Sequence, residues 1–171
     1  MPPRSFNRKK RVEKTKFKFK STERFLQEDP RFKNLVVSKF INQLMYDGKK
    51  SIARQITYAA IDGVAKKVKE IEPLEVFLQA INNVKPQVEV RSKRVGGATY
   101  QVPMEVNRKR QQALAIRQLI LQARSKKGKP MAQRLAEELV DAFNRQGASV
   151  MWKDNVHKMA EANKLFAHFA W

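Results

Sequence analysis

Cysteine is absent from the 171 residues. No disulfide can form and no thiolate can hold a metal, a composition compatible with a reducing compartment. Histidine is nearly absent: His157 and His168 are the only two. Eleven positions apart, they lack the i, i+4 spacing of a helical ligand pair, so a packed or partner-facing imidazole is expected rather than a metal ligand or general base. No apolar run approaches the roughly 18–20 residues of a membrane span, and no apolar stretch matches the core of a secretory leader. No membrane partner is therefore expected. Acid is scarce as well, with 16 Asp and Glu against 36 Lys and Arg.

What remains is a chain of single-domain length, 42% hydrophobic, with a formal net charge of +20. Such an excess opposes compaction and attracts polyanions, which makes nucleic acid the leading partner class. The charge is also unevenly placed. Residues 1–20 carry nine Lys and Arg against one Glu, and residues 85–129 carry twelve against two. Two cationic surfaces on a nearly neutral scaffold are expected, since a merely soluble surface intersperses both signs.

Residues 1–24 are too charged and too poor in apolar side chains to build a core, and read as a basic tail without structure when unbound. Within it Phe17 and Phe19 alternate with Lys16, Lys18 and Lys20, an arrangement that could stack bases beside neutralised phosphates. Transit peptides are also poor in acid, but they favour Arg and Ser, and Lys predominates here. From 25 onward one helical domain is expected. Val36, Phe40, Ile41 and Leu44 recur at spacings of three and four, and Asp47-Gly48 ends that helix. Ser51 is the expected cap of a second helix with the stripe Ile52, Ile56, Ala60, Val64 and Val68. Pro73 suits the first turn of a third, whose apolar face is Leu74, Phe77, Leu78 and Ile81. Over about 86–106 the period changes to two. Val88 and Val90 precede Gly96-Gly97, and Tyr100, Val102, Met104 and Val106 follow it, which predicts a β-hairpin. Pro103 removes a ladder donor and places that strand at an edge. Three further helices are expected, on the stripes Ala113, Ile116, Ile120 and Ala123; Met131, Leu135, Leu139 and Phe143; and Trp152, Val156, Met159, Ala160 and Asn163. The fold class is therefore mainly α: six helices in one domain, with a protruding β-hairpin between the third and fourth and a basic N-terminal tail.

No pattern specifies an enzyme. DGKKS at 47–51 is similar to the end of a phosphate-binding P-loop, but Gln43 stands where that motif needs glycine, and a helix precedes it where a strand is required. A helix-ending turn with a basic rim is the better reading. Glu137, Glu138 and Asp141 could perform acid–base work, yet on a helix with a full apolar face solvated carboxylates are expected. No cofactor is implied. The strongest candidate site is the hairpin, where Arg91 and Lys93 share the side facing away from Val88 and Val90. Lys93, Arg94, Gly96 and Gly97 cluster at the bend. So many cations cannot be buried without pairing, so the bend is expected to reach into solvent or RNA. Asn107-Arg108-Lys109-Arg110 then opens a helix with cations at the end where the macrodipole disfavours them, a cost that bound phosphates would offset.

Three stretches carry a resemblance: DPRF followed by VSKFINQLMYDGKKSIARQITYAA within 29–60, VRSKRVGGATYQVP at 90–103, and MAEANKLFAHFAW at 159–171. Together they resemble the bacterial type of the small-subunit ribosomal protein seven family, from residue 29 to the C-terminus. The resemblance implies a structural constituent of the small ribosomal subunit that binds the head domain of its rRNA and nucleates head assembly. It implies a hairpin reaching tRNA and messenger near the exit site, and neighbouring small-subunit proteins as further partners. The rRNA-binding residues it implies are Arg8, Lys9, Lys10 and Arg11 in the tail, Lys49 and Lys50 after the first helix, and Arg108, Lys109, Arg110 and Arg117. The tRNA- and messenger-proximal residues are Arg91, Lys93, Arg94, Gly96, Gly97 and Tyr100. The extended KFKFK tail departs from the family and keeps an organellar ribosome as the alternative to a bacterial cytoplasmic one. The alternative from another class is a non-ribosomal nucleic-acid chaperone or architectural DNA-binding protein, which would be equally basic.

Overall fold

A buried carboxylate organises the start of the described chain. In the computed structural model, which describes residues 25–170, Asp29 accepts hydrogen bonds from the backbone N–H groups of Arg31 (3.1 Å) and Phe32 (3.2 Å) and from the Tyr58 hydroxyl (2.8 Å). Arg31 adds a bidentate pair to Asp62, at 2.7 and 3.0 Å. The DPRF stretch is thus a turn pinned to the second helix. The expectation for 1–24, with Arg8, Lys9, Lys10, Arg11, Phe17 and Phe19, lies outside the described residues.

Six α-helices follow with one hairpin between the third and fourth: α1 (Leu35–Leu44), α2 (Lys50–Lys67), α3 (Pro73–Val84), β1 (Val88–Val95), β2 (Ala98–Glu105), α4 (Arg108–Ser125), α5 (Met131–Phe143) and α6 (Ala148–Ala162). A 3-10 helix, Lys164–Phe169, then closes the described chain. Six residues are too few to leave a periodic signal, so the sequence did not announce that element. Asn34 caps α1 through its side chain, accepting from Val36 N–H at 2.7 Å, and Pro73 opens α3 as expected. Ser51 does not cap α2. That helix starts one residue earlier, with Lys49 at the cap position and no side-chain cap bond.

The core is built around α5, which packs against α2, α3 and α4. Phe40 and Phe77, both fully buried, meet edge to face at 5.2 Å between ring centroids, a geometry favoured by the aromatic quadrupole. Two stripes are rotated from the expected ones. On α2 the buried residues are Ala53, Thr57, Ala60, Ile61 and Val64, while Ile52 is exposed and Ile56 half-buried. α2 and α5 approach closely at one point, where a Cβ on Gly63 would stand 3.0 Å from Ala136 Cβ. On α4, Ala113 is exposed and the inner face is Ala115, Ile116, Leu119, Ile120 and Ala123. Met159 of α6 is exposed as well, beside buried Val156 and Ala160.

The acidic trio on α5 needs a sharper correction. Glu138 is not solvated but fully buried. Its Oε1 accepts from the Ser149 N–H (3.1 Å) and hydroxyl (2.6 Å), and Lys126 Nζ lies 2.7 Å from its Oε2. The carboxylate therefore ties the start of α6 and the segment after α4 onto α5.

β1 and β2 pair antiparallel in register from Val88 opposite Glu105 to Val95 opposite Ala98. The two-residue connection Gly96-Gly97 has φ of +57° and +92°, positive at both positions as a tight hairpin turn requires. None of the hairpin residues belongs to the main apolar cluster. The arm is attached to the core, not part of it.

Candidate nucleic-acid interface

At the junction of hairpin and α4 the charges are sorted by one carboxylate. Strand alternation puts Glu89, Arg91 and Lys93 on the face shared with Met104, Val102 and Tyr100. That face turns toward the body. Glu89, with an 11% exposed side chain, accepts from Arg91 Nε at 2.6 Å and from Arg110 Nε at 2.8 and 2.9 Å. Further out, Lys93 Nζ donates to the Phe169 carbonyl at 2.7 Å. Tyr100 stacks obliquely on Phe166 and Phe169, with centroids 5.2 and 5.1 Å away. The C-terminal 3-10 helix thus braces the arm. Arg91, Lys93 and Tyr100 are half-buried, whereas Arg94, Gly96 and Gly97 stand exposed at the tip.

Arg108, Lys109 and Arg110 are all exposed in the first turn of α4, and Arg117 is exposed two turns on. Asn107 makes no side-chain cap bond and the first turn holds no acid. Unsatisfied backbone N–H groups, the positive end of the peptide dipoles and a run of cations therefore coincide, which is the electrostatic signature of an anion-binding helix end. Lys109 also lines a groove of about 520 Å³ between α1 and α4, with Phe25, Lys39, Asn42, Gln43 and Gln112. Exposed Phe25 supplies a ring, the amides supply donors and acceptors, and the lysines supply charge. These are the ingredients with which single-stranded RNA is held. Sequence reasoning missed Phe25, Lys39, Asn42 and Gln43, because α1 and α4 are far apart in the chain.

Lys49 and Lys50 do not join this groove. They are exposed beside the turn where Asp47 and Gly48 take positive φ, and Lys50 lines a separate cavity of about 220 Å³ with Asp29 and Arg54. His157 Nε2 accepts the Gln87 N–H at 3.1 Å, and His168 packs on Phe169 at 4.0 Å. No group of three His, Asp or Glu able to hold a metal occurs among the described residues, and no helix there is long and apolar enough to cross a membrane.

Residues 10–164 match the family model described as Ribosomal protein S7p/S5e. The chain belongs to the ribosomal protein S7 family. A small ribosomal subunit protein uS7 from Petrotoga mobilis is 57% identical over 143 residues, covering 84% of this chain and 92% of that protein. One from Afipia carboxidovorans is 54% identical over 148 residues, covering 86% and 94%, and one from Rhodopirellula baltica is 55% identical over 144 residues, covering 84% and 92%. As a member of the S7 family this is a structural, non-enzymatic protein of the small ribosomal subunit. Its most recognisable stretches divide accordingly. DPRF is a folding device around Asp29, while VRSKRVGGATYQVP forms an arm whose inner face is packed and whose tip is free of the core.

Proposed function

We propose that the chain binds the head domain of small-subunit rRNA, nucleates head assembly, and carries tRNA and messenger near the exit site against its hairpin. The uncapped, triply cationic start of α4 beside the α1–α4 groove is the observation that supports this reading most strongly. Arg108, Lys109 and Arg117 take rRNA phosphates, and Lys49 and Lys50 add charge from the α1–α2 turn. Arg8, Lys9, Lys10 and Arg11 extend the surface from the tail. Arg110 is held by Glu89, so its first task is to fix the arm. Recognition follows from shape and phosphate position, with unstacked bases read in the groove, because the deep major groove of duplex RNA is closed to side chains. At the hairpin, Arg94 with Gly96 and Gly97 approach tRNA and messenger, while Arg91, Lys93 and Tyr100 hold the arm in place. The bacterial relatives favour a bacterial-type cytoplasmic ribosome as the setting, with other small-subunit proteins as neighbours.

Competition binding tests the reading. A head-domain rRNA fragment should outcompete random duplex DNA by at least the ~10³-fold typical of specific over non-specific nucleic-acid binding. Equal competition would instead favour a general nucleic-acid chaperone or architectural protein.

A further inference from the structure

Four parts of the fold outside the proposed rRNA surface converge on a second cationic cavity. It has a volume of about 270 Å³ and lies where the end of α3, the start of the hairpin, the α5–α6 turn and α6 meet. Lys85, Arg145 and Lys153 line it, with Asn82, Gln87 and His157, and no carboxylate is among its lining residues. The walls are fixed by bonds that leave the positive charge largely uncancelled. Lys85 Nζ donates to the neutral Asn82 amide oxygen at 2.6 Å, and Lys153 Nζ to the Asn83 carbonyl at 3.0 Å. Asp154 is 3.7 Å from Lys153, and Asp141, which pairs with Lys126, borders the α5–α6 turn. Asn83 in turn donates to the carbonyls of Ala142 and Phe143 at 3.0 Å, locking α3 to the end of α5. His157 accepts from Gln87 N–H, locking α6 to the start of the hairpin. Arg145 takes φ of +56°, a conformation that costs a side-chain-bearing residue energy, in the turn that brings it to the cavity.

We propose that this cavity binds a phosphodiester group of RNA. A rigid concave wall carrying three cations focuses a positive potential that an anion completes. At about 270 Å³ the cavity has room for one phosphate of a passing strand. Lys85 and Arg145 supply charged donors from two separate parts of the fold, the end of α3 and the α5–α6 turn. The inference rests on the reading of the chain as an RNA-binding protein and gives it a second contact point, beside the root of the arm.

The test measures affinity against salt for two probes, a head-domain rRNA fragment and a tRNA. The variants are Lys85→Gln with Arg145→Asn, the latter chosen because asparagine tolerates positive φ, and separately Lys153→Gln, which keeps a donor and an alkyl stem. Melting temperature checks the fold. For at least one probe, the paired variant should bind about tenfold more weakly, with a log–log salt slope shallower by about 0.7–0.9, one phosphate contact. If both probes bind it as they bind the parent, while Arg108→Gln with Lys109→Gln weakens the rRNA complex, the cavity is not a phosphate site and the wider reading stands. If the parent itself shows no salt dependence, both the cavity and the wider reading are overturned.

Discussion

Glu138 and Glu89 show how single carboxylates arrange a cationic protein. Glu138 is fully buried, and its loss would leave the Ser149 N–H and hydroxyl without their acceptor and Lys126 with only Asp141, at 3.4 Å. Glu138→Ala should lower unfolding free energy by about 2–3 kcal/mol, the cost of leaving buried donors such as those of Ser149 unpaired. A loss under about 1 kcal/mol in a denaturant titration would contradict this account. The same pair sets an alkaline limit. Burial alone lowers the affinity of Lys126 for its proton, but the hydrogen bond and charge of Glu138, with Asp141 behind, outweigh it and raise the pKa above the ordinary 10.5. A raised folded value means that this contribution is full below pH 10.5 and is lost as pH climbs through the folded pKa. Melting temperature in the parent should therefore fall more steeply above pH 10.5 than in Lys126→Met. Glu89 differs in kind, because it holds Arg91 and Arg110 at the root of the arm, and under the proposed function releasing them would offer two more cations to RNA. Glu89→Gln should keep the fold and tighten RNA binding, since both guanidiniums lose their carboxylate partner. Weaker binding would show that Glu89 acts chiefly by aiming them.

The hairpin is an arm with a brace. Tyr100 against Phe166 and Phe169, and Lys93 on the Phe169 carbonyl, tie it to the C-terminal 3-10 helix. Tyr100→Ala should speed amide hydrogen exchange across 88–105 while leaving exchange in α2, α3 and α5 unchanged, because none of these residues belongs to the main core. Uniform acceleration would mean that the arm is part of the core. The arm itself was legible in the sequence: alternation at 88–106 and two adjacent glycines specify strands and turn. Its brace was not, because Phe169 lies 76 residues from Lys93 and nothing in the local pattern connects them. The helices were legible as elements, yet two of their faces were read a step off. Ile52 is more apolar than Ala53, yet Ala53 is the one buried, because packed neighbours that the local pattern does not show set the rotation of the helix. Hydrophobicity located the helices, and steric fit decided their rotation. Glu138 was misjudged for a related reason. Its partners, Ser149 and Lys126, sit on other elements, and without them a buried glutamate has no rationale.

At the scale of the molecule, a nearly neutral helical core carries its charge at defined places: the start of α4, the α1–α2 turn, the tip of the arm and the cavity beneath it. The groove between α1 and α4 was out of reach of sequence reasoning because it exists only once those helices pack. What the sequence did carry was the uneven placement of charge, which follows from residue order alone. The account's central claim is that this charge binds rRNA phosphates in fixed positions. The measurement that tests it most directly is affinity for a head-domain rRNA fragment as a function of salt. With about eight phosphates neutralised, log K should fall against log salt with a slope of about −6 to −7. A slope near zero would contradict the claim.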